Sequence, residues 1–305
     1  MAQSTPVTIL LATCNGEAHL QSQLESIARQ DHGRWQIIAS DDGSEDATPA
    51  ILEQFAQRFS GRVQLIKGPQ RGMAENFISL LAQASEGPVA FCDQDDVWLP
   101  GKLSRALSAI GSEVRPVLYG CRTERITAGG ATLGLSPLWR RGPSFGNALV
   151  QNIIGGHTAV MNAAALRLMQ EAGRNIRVPF HDWWAYQVIS GCGGRVIVDP
   201  AAMVRYRQHD GNLLGASRGP AARLRRLSMM LSGNFAPWFG QTEVALGAIR
   251  PMLTPAASDL LDRFSELRRT PGLGAARAVL AGGIVHRQRR IENLALALAA
   301  ARGLI

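Results

Sequence analysis

Residues 91–100 read FCDQDDVWLP. An apolar lead-in, Val89-Ala90-Phe91-Cys92, runs straight into Asp93, Asp95 and Asp96. Carboxylates crowded at the end of a strand repel one another. The segment therefore implies something positive beside it, and the identity of that partner decides what the segment does.

Working towards the N-terminus, the same strand-then-loop pattern repeats. Residues 7–12, VTILLA, form a short apolar run that reads as a buried strand, broken by Thr13-Cys14-Asn15-Gly16. Leu20, Leu24 and Ile27 then recur at helical spacing. Residues 35–39 are a second strand, closed by SDDGSED, and Thr48-Pro49 opens a helix with Ile51, Leu52, Phe55 and Phe59 on its apolar face. Residues 63–66 give a third strand, residues 75–84 a helix, and residues 88–92 the fourth strand. This β-α alternation predicts an α/β fold, a mainly parallel sheet with helices on both faces. Ligands of such sheets bind beyond the carboxyl ends of the strands. Loops 13–17, 41–46, 68–75 and 93–98 should converge there, which puts the acidic cluster in a ligand site on topology alone.

Beyond residue 115 the pattern loosens. Residues 117–119, 196–198 and 204–207 read as strands, 162–171 and 182–189 as helices, and the Gly/Pro-rich stretch 128–147 as a long loop. The chain has 305 residues and a formal net charge of +8. Residues 217–305 hold 13 arginines and 5 acids, so the whole excess lies there. The expected organisation is an α/β domain over 1–217, divided near residue 100, and a basic helical region over 218–305. No apolar run is long enough to span a membrane. The N-terminus does not read as a signal peptide, and the four scattered cysteines read as reduced thiols. A cytoplasmic location is expected.

Clustered carboxylates at a strand end suit a divalent cation, Mg²⁺ or Mn²⁺, which takes oxygen ligands and neutralises a substrate diphosphate. Asp41-Asp42 forms a second acidic pair. It reads as turn chemistry, as a reader of a pyrimidine N3–H through Asp41, or as both. Arg71 and Arg207 are candidates for diphosphate contact, or solvated arginines. Trp183 and Trp184 fit either a core or a sugar-stacking platform.

In order and spacing, VTILLATCNGE, SDDGSED and FCDQDDVW resemble the family 2 glycosyltransferases, whose fold is GT-A. NIIGGHTAVMN, HDWW and YRQHDGNLLGA resemble that family's rhamnosyltransferase-like branch, so the likeness runs over about residues 7–216. It implies an inverting, metal-dependent transfer from a nucleotide-diphospho-sugar. The donor would be a dTDP- or UDP-sugar, with dTDP-rhamnose suggested by the branch. The acceptor would be a cell-surface polysaccharide or lipid-linked saccharide. Ala12, Thr13, Asn15 and Glu17 would then lie against the nucleotide, Asp41 at the base and Asp93 near the ribose. Asp95 and His209 would hold the metal, Asp96 would support the site or meet the acceptor, and Asp182 would be the catalytic base. The branch often has a small residue or Cys where this chain has His157, which bears on the acceptor pocket.

Two other readings fit less well. A sugar nucleotidyltransferase would want a Gly-rich, basic loop after the first strand, and LATCNGEAHL is not one. A nucleic-acid-binding protein would interleave its charge with aromatics in the sheet loops, not collect it in the tail, so no nucleic-acid partner is expected. The tail, with Leu/Met faces at 223–231 and the aromatics Phe235, Trp238 and Phe239, is expected to lie on an anionic membrane surface or to pack on the protein. A homo-oligomer is left open.

Overall fold

A computed structural model describes residues 6–174, 176–208 and 228–305. The strands are β1 (Val7–Thr13), β2 (Trp35–Asp41), β3 (Val63–Lys67), β4 (Val89–Cys92), β5 (Val97–Trp98), β6 (Val117–Thr127), β7 (Thr132–Leu135), β8 (Val160–Met161) and β9 (Arg195–Gln208). They form one sheet in the order β3-β2-β1-β4-β8-β6-β9-β5, with β7 off the edge of β6. The first half is all parallel, β1 lying between β2 and β4. The second half is mixed: β8 pairs antiparallel with both β4 and β6, while β6 and β9 run parallel.

β1 is mostly apolar and buried along nearly its whole length because both of its faces are covered. One side of the sheet packs α1 (Leu20–Ala28), α2 (Thr48–Arg58) and α4 (Lys102–Ile110). The other packs α3 (Met73–Gln83), the single turn α5 (Phe145–Ala148), α6 (Ala163–Ala172) and α7 (His181–Gly191). The acidic loop is pinned at both ends. It leaves β4, the neighbour of β1, and enters β5, whose Val97 and Trp98 pair with Arg205 and Val204 of β9. A two-residue strand is thus enough to tie residues 93–96 to both halves of the sheet.

Two expectations change in the second half. Residues 196–198 and 204–207 belong to one long strand that runs through Asp199-Pro200 with register shifts opposite Arg122. The expected loop 128–147 contains β7, a hairpin partner of β6.

The C-terminal helices are α8 (Ala236–Ala248), α9 (Pro255–Arg269), α10 (Leu273–Ala281) and α11 (Arg290–Ala301). Among the described residues, no helix is long and apolar enough to cross a membrane. These helices share a core with α3, α6 and α7. Phe239 is fully buried, edge-on to Trp183 (6.1 Å) and to Phe264 (6.1 Å), and Trp238 meets Phe180 edge-on at 5.0 Å. Phe235, Trp238, Phe239 and the buried Met230 therefore face the protein and not a membrane. Residues 223–227 of that expected face, and the boundary near 218, lie outside the described residues. Phe239→Ala should cost about 3–5 kcal/mol of stability. A lower guanidinium midpoint with shifted tryptophan fluorescence would show it; an unchanged midpoint would mean the seam carries no stability.

Candidate active site

The loops after the strands enclose a cavity of about 920 Å³. Ala12, Thr13, Arg71, Asp93, Asp95 and Asp182 all line it, so six of the expected residues meet on one wall system. They come from four places: the end of β1, the loop before α3, the acidic loop after β4, and the first turn of α7.

Side-chain hydrogen bonds knit these loops together. The Gln94 amide clamps the first loop to the acidic loop, accepting from the Cys14 N–H (2.8 Å) and donating to the Cys14 carbonyl (2.9 Å). Asn15 and Glu17 are used in the same way and do not line the cavity. Asn15 Oδ1 accepts from the Glu45 N–H, and Glu17 Oε2 accepts from the Ala47 N–H. Asp41 accepts from the Thr13 and Ser44 hydroxyls and the Ser44 N–H, and it is Asp42 that reaches the cavity wall. Asp42 in turn accepts from the Gln70 and Gly72 N–H groups and shapes the loop that carries Arg71.

The positive partner of the carboxylates is Lys102. It sits in the first turn of α4, fully buried, with its ammonium 3.2 Å from the centroid of the Trp98 ring and no hydrogen-bond acceptor. Burial pulls its pKa down to about 8, against the opposing pull of neighbouring thiols, Asp96 and Asp93. Asp93 is pushed up to about 8 by burial, by Asp95 and by Asp182, with Lys102 acting against the rise.

Arg207 is the second positive group, and it works as a brace. It is 7% exposed; its Nε donates to the Asp95 carbonyl (2.9 Å), its guanidinium to the Ala128 carbonyl, and its backbone N–H to Asp96 Oδ1 (3.0 Å). Asp96 is fully buried and absent from the cavity wall. Neither residue faces a ligand as expected: Arg207 does not reach the cavity as a diphosphate contact, nor Asp96 as an acceptor contact. Trp183 and Trp184 are likewise core residues, 5% and 1% exposed, and the Trp183 indole donates to the Ala148 carbonyl. His209 lies outside the described residues, one position past the end of β9.

Asp93, Asp96 and His157 bring one ligand atom each within 4.8 Å of one another. Asp93 Oδ1 and Asp96 Oδ2 are buried without hydrogen-bond partners. Buried carboxylate oxygens left unpaired fit an oxygen-loving divalent ion. His157 stacks flat on Tyr206 (4.4 Å between centroids, 4° between planes), with Nδ1 3.8 Å from Asp93 Oδ2. Burial lowers its pKa to about 3, so it is a neutral imidazole, the form that ligates metals.

Across the cavity, Asp182 is the second residue of α7, which Phe180 precedes. Asp182 Oδ2 accepts from the Gly156 N–H (2.9 Å) and Oδ1 from the Trp183 N–H (2.7 Å). Burial raises its pKa to about 6, and hydrogen bonds from Gly156, Trp183 and Asn152 hold back the rise. At neutral pH it is mostly ionised yet still basic. Gly156 is required for this contact: a Cβ there would stand 2.7 Å from His181 Nε2 and 3.3 Å from Asp182 Cβ. His181 is itself buried, stacked on Phe77 at 3.8 Å, and kept neutral with a pKa of about 3.

Sequence reasoning missed Lys102, Gln94, Asn152, and Arg122 and Arg125 of β6, both on the cavity wall. Strand alternation could not have shown the two arginines, since residues three apart point to opposite faces of a regular strand, and here the pairing shifts register on both sides of Arg122.

Residues 8–168 match the profile described as glycosyl transferase family 2, more than half of the chain. The chain belongs to that family. Among curated relatives, it is 24% identical over 234 residues to the dTDP-rhamnosyl transferase RfbG of Shigella flexneri, covering 72% of this chain and 78% of that protein. It is 27% identical over 115 residues to the UDP-Glc:alpha-D-GlcNAc-diphosphoundecaprenol beta-1,3-glucosyltransferase WfgD of Escherichia coli, a span of 37% of this chain and 44% of that one. The fold recurs in S. aureus TarS 1–349 in complex with UDP-GlcNAc (TM-score 0.56, 16% identity, 97% and 91% of the two chains). It recurs also in the mannosyltransferase PcManGT of Pyrobaculum calidifontis in complex with GDP-Man and Mn²⁺ (TM-score 0.54, 17% identity, 98% and 86%). The family 2 chain described here is a glycosyltransferase with a GT-A fold.

Proposed function

We propose that the protein transfers a sugar, with inversion, from a nucleotide-diphospho-sugar to a saccharide or lipid-linked acceptor at the inner face of the cell membrane. The reading rests most on one observation: a hydrogen-bonded carboxylate with a pKa of about 6, Asp182, in the same cavity as the acidic loop that carries Asp93 and Asp95. The nucleotide would lie against Ala12 and Thr13 at the end of β1, beside the Asp41-Asp42 turn, and Arg71 would reach its diphosphate. Asp93 and Asp95 would offer oxygens to Mg²⁺ or Mn²⁺, with a nitrogen ligand from His157 or His209. The ion would stabilise the departing diphosphate. Asp182 takes the proton of the acceptor hydroxyl as that oxygen attacks the anomeric carbon and the bond to the diphosphate breaks. Arg122 and Arg125 face the acceptor.

The similarity to RfbG favours dTDP-rhamnose as donor. The direct test is a panel of dTDP-, UDP- and GDP-sugars with Mn²⁺ or Mg²⁺, scoring slow hydrolysis and thermal protection. Protection by dTDP-rhamnose above the others is expected. Protection by UDP- or GDP-sugars instead would reassign the donor, and protection by none would overturn donor binding at this cavity.

A further inference from the structure

The C-terminal helices bury their aromatics, yet they leave another apolar face outside. α10 and α11 form a hairpin whose inner sides, including Ala275, Val279, Ala295, Leu296 and Ala299, join the core. The outer sides carry large aliphatic residues in water. Leu273 and Leu280 of α10 are 76% and 57% exposed, and Ile291, Leu294 and Leu298 of α11 are 56%, 47% and 45% exposed. On α11 the spacing is i, i+3, i+7, a single stripe. Of the large hydrophobic residues exposed among the described residues, this hairpin holds the densest group, and such a patch marks a contact surface.

The charge around the stripe identifies what covers it. Residues 270–305 contain five arginines and one acid. Arg277, Arg290 and Arg302 are exposed beside the aliphatic positions. The single acid, Glu292, is turned inward, accepting from Arg287 and Gln151. The outer face of the hairpin is therefore apolar and cationic, with no exposed acid. A two-fold contact with a second copy would set these arginines against their own counterparts, with no carboxylate to pair them. A bilayer with anionic headgroups satisfies both features at once.

We propose that the outer face of the α10–α11 hairpin docks reversibly on an anionic membrane surface. This rests on the proposed use of a membrane-associated acceptor and names the surface that brings the enzyme to it. The connection between the two helices holds the segment that leads to the active site. Its Arg287 guanidinium donates to the Val150 carbonyl, and Asn147 donates to the His286 carbonyl. Gln288 exchanges hydrogen bonds with the Arg141 backbone. The segment so held, residues 141–151, leads directly to Asn152 and Gly156 on the Asp182 side of the cavity. Docking would thus set the acceptor side of the cavity next to the lipid headgroups.

The experiment is flotation of the full chain with vesicles of phosphatidylcholine alone or with a third phosphatidylglycerol, at low and high salt, alongside sedimentation velocity without lipid. Binding is expected only with phosphatidylglycerol, and it should weaken as salt rises. Leu280→Asp with Leu294→Asp should abolish flotation. Arg277→Ala, Arg290→Ala or Arg302→Ala should each weaken partitioning by about fivefold. All these positions are exposed, so helicity and hydrolysis of soluble donor should stay unchanged, which separates failure of docking from failure of the glycosyltransferase reading. No flotation of the unmodified protein, or flotation retained in the double aspartate variant, would overturn the proposal. So would a dimer that the double variant dissolves, which would make the face a contact between copies.

Discussion

Asp182→Asn is expected to slow transfer by roughly 10²–10⁴-fold while leaving donor affinity unchanged. Asparagine keeps the shape of the carboxylate, and its Oδ1 can still accept one of the two backbone N–H bonds from Gly156 and Trp183. What it loses is the capacity to take a proton. The unmodified enzyme should show an acid limb in kcat/KM near pH 6, the value to which burial raises Asp182. The base must be ionised to work, so activity falls as pH drops through that value. The groups facing it set few rival charges near that pH: His181 and His157 are held neutral by burial, and Asp93, pushed up to about 8, is still largely protonated. In Asp182→Asn that limb should disappear along with the rate. If donor affinity collapses instead, and the rate per bound donor is unchanged, Asp182 holds the wall together and removes no proton.

The nucleotide half was legible in the sequence because its signals are local. A continuous apolar run such as VTILLA is what a strand covered on both faces requires, and Gly, Asp and Asn mark the turns that follow. The second half hid its strands for physical reasons. β9 crosses Asp199-Pro200-Ala201-Ala202, whose bulged pairing with β6 breaks the alternation that would have marked one strand. Side-chain direction was not legible at all. Asp95 and Asp96 are adjacent, yet one lines the cavity and the other is buried against the Arg207 backbone. Trp183 and Trp184 lie on a helix buried on nearly every side, so no polar face shows which way they point. Phe235, Trp238 and Phe239 have a spacing that suits a membrane face as well as a seam between helices, and only packing decides. The lysine in WLPGKL reads as an ordinary solvated helix start, but α4 turns it under the acidic loop.

Asp95→Ala is expected to remove turnover by about 10³-fold or more, since a metal ion supplies several kcal/mol of stabilisation to developing charge. It should also make donor binding insensitive to EDTA. The fold should survive: the loop is held through the Asp95 carbonyl by Arg207, through Gln94 by Cys14, and through β5 by β9, and none of these uses the Asp95 carboxylate. An unchanged melting temperature with lost metal response would separate a ligand from a brace. Asp96→Ala should behave in the opposite way. It leaves the Arg207 N–H without its buried acceptor and should lower stability by about 1–3 kcal/mol. The nitrogen ligand is assigned by comparing His157→Ala with His209→Ala in a Mn²⁺ titration, where the true ligand should show the larger loss of affinity. His157 starts with one structural advantage: it is already neutral, already oriented by the Tyr206 ring, and already beside Asp93. Full activity and intact Mn²⁺ dependence in Asp95→Ala would remove the Asp95 carboxylate from metal binding and leave the ion to Asp93, Asp96 and His157.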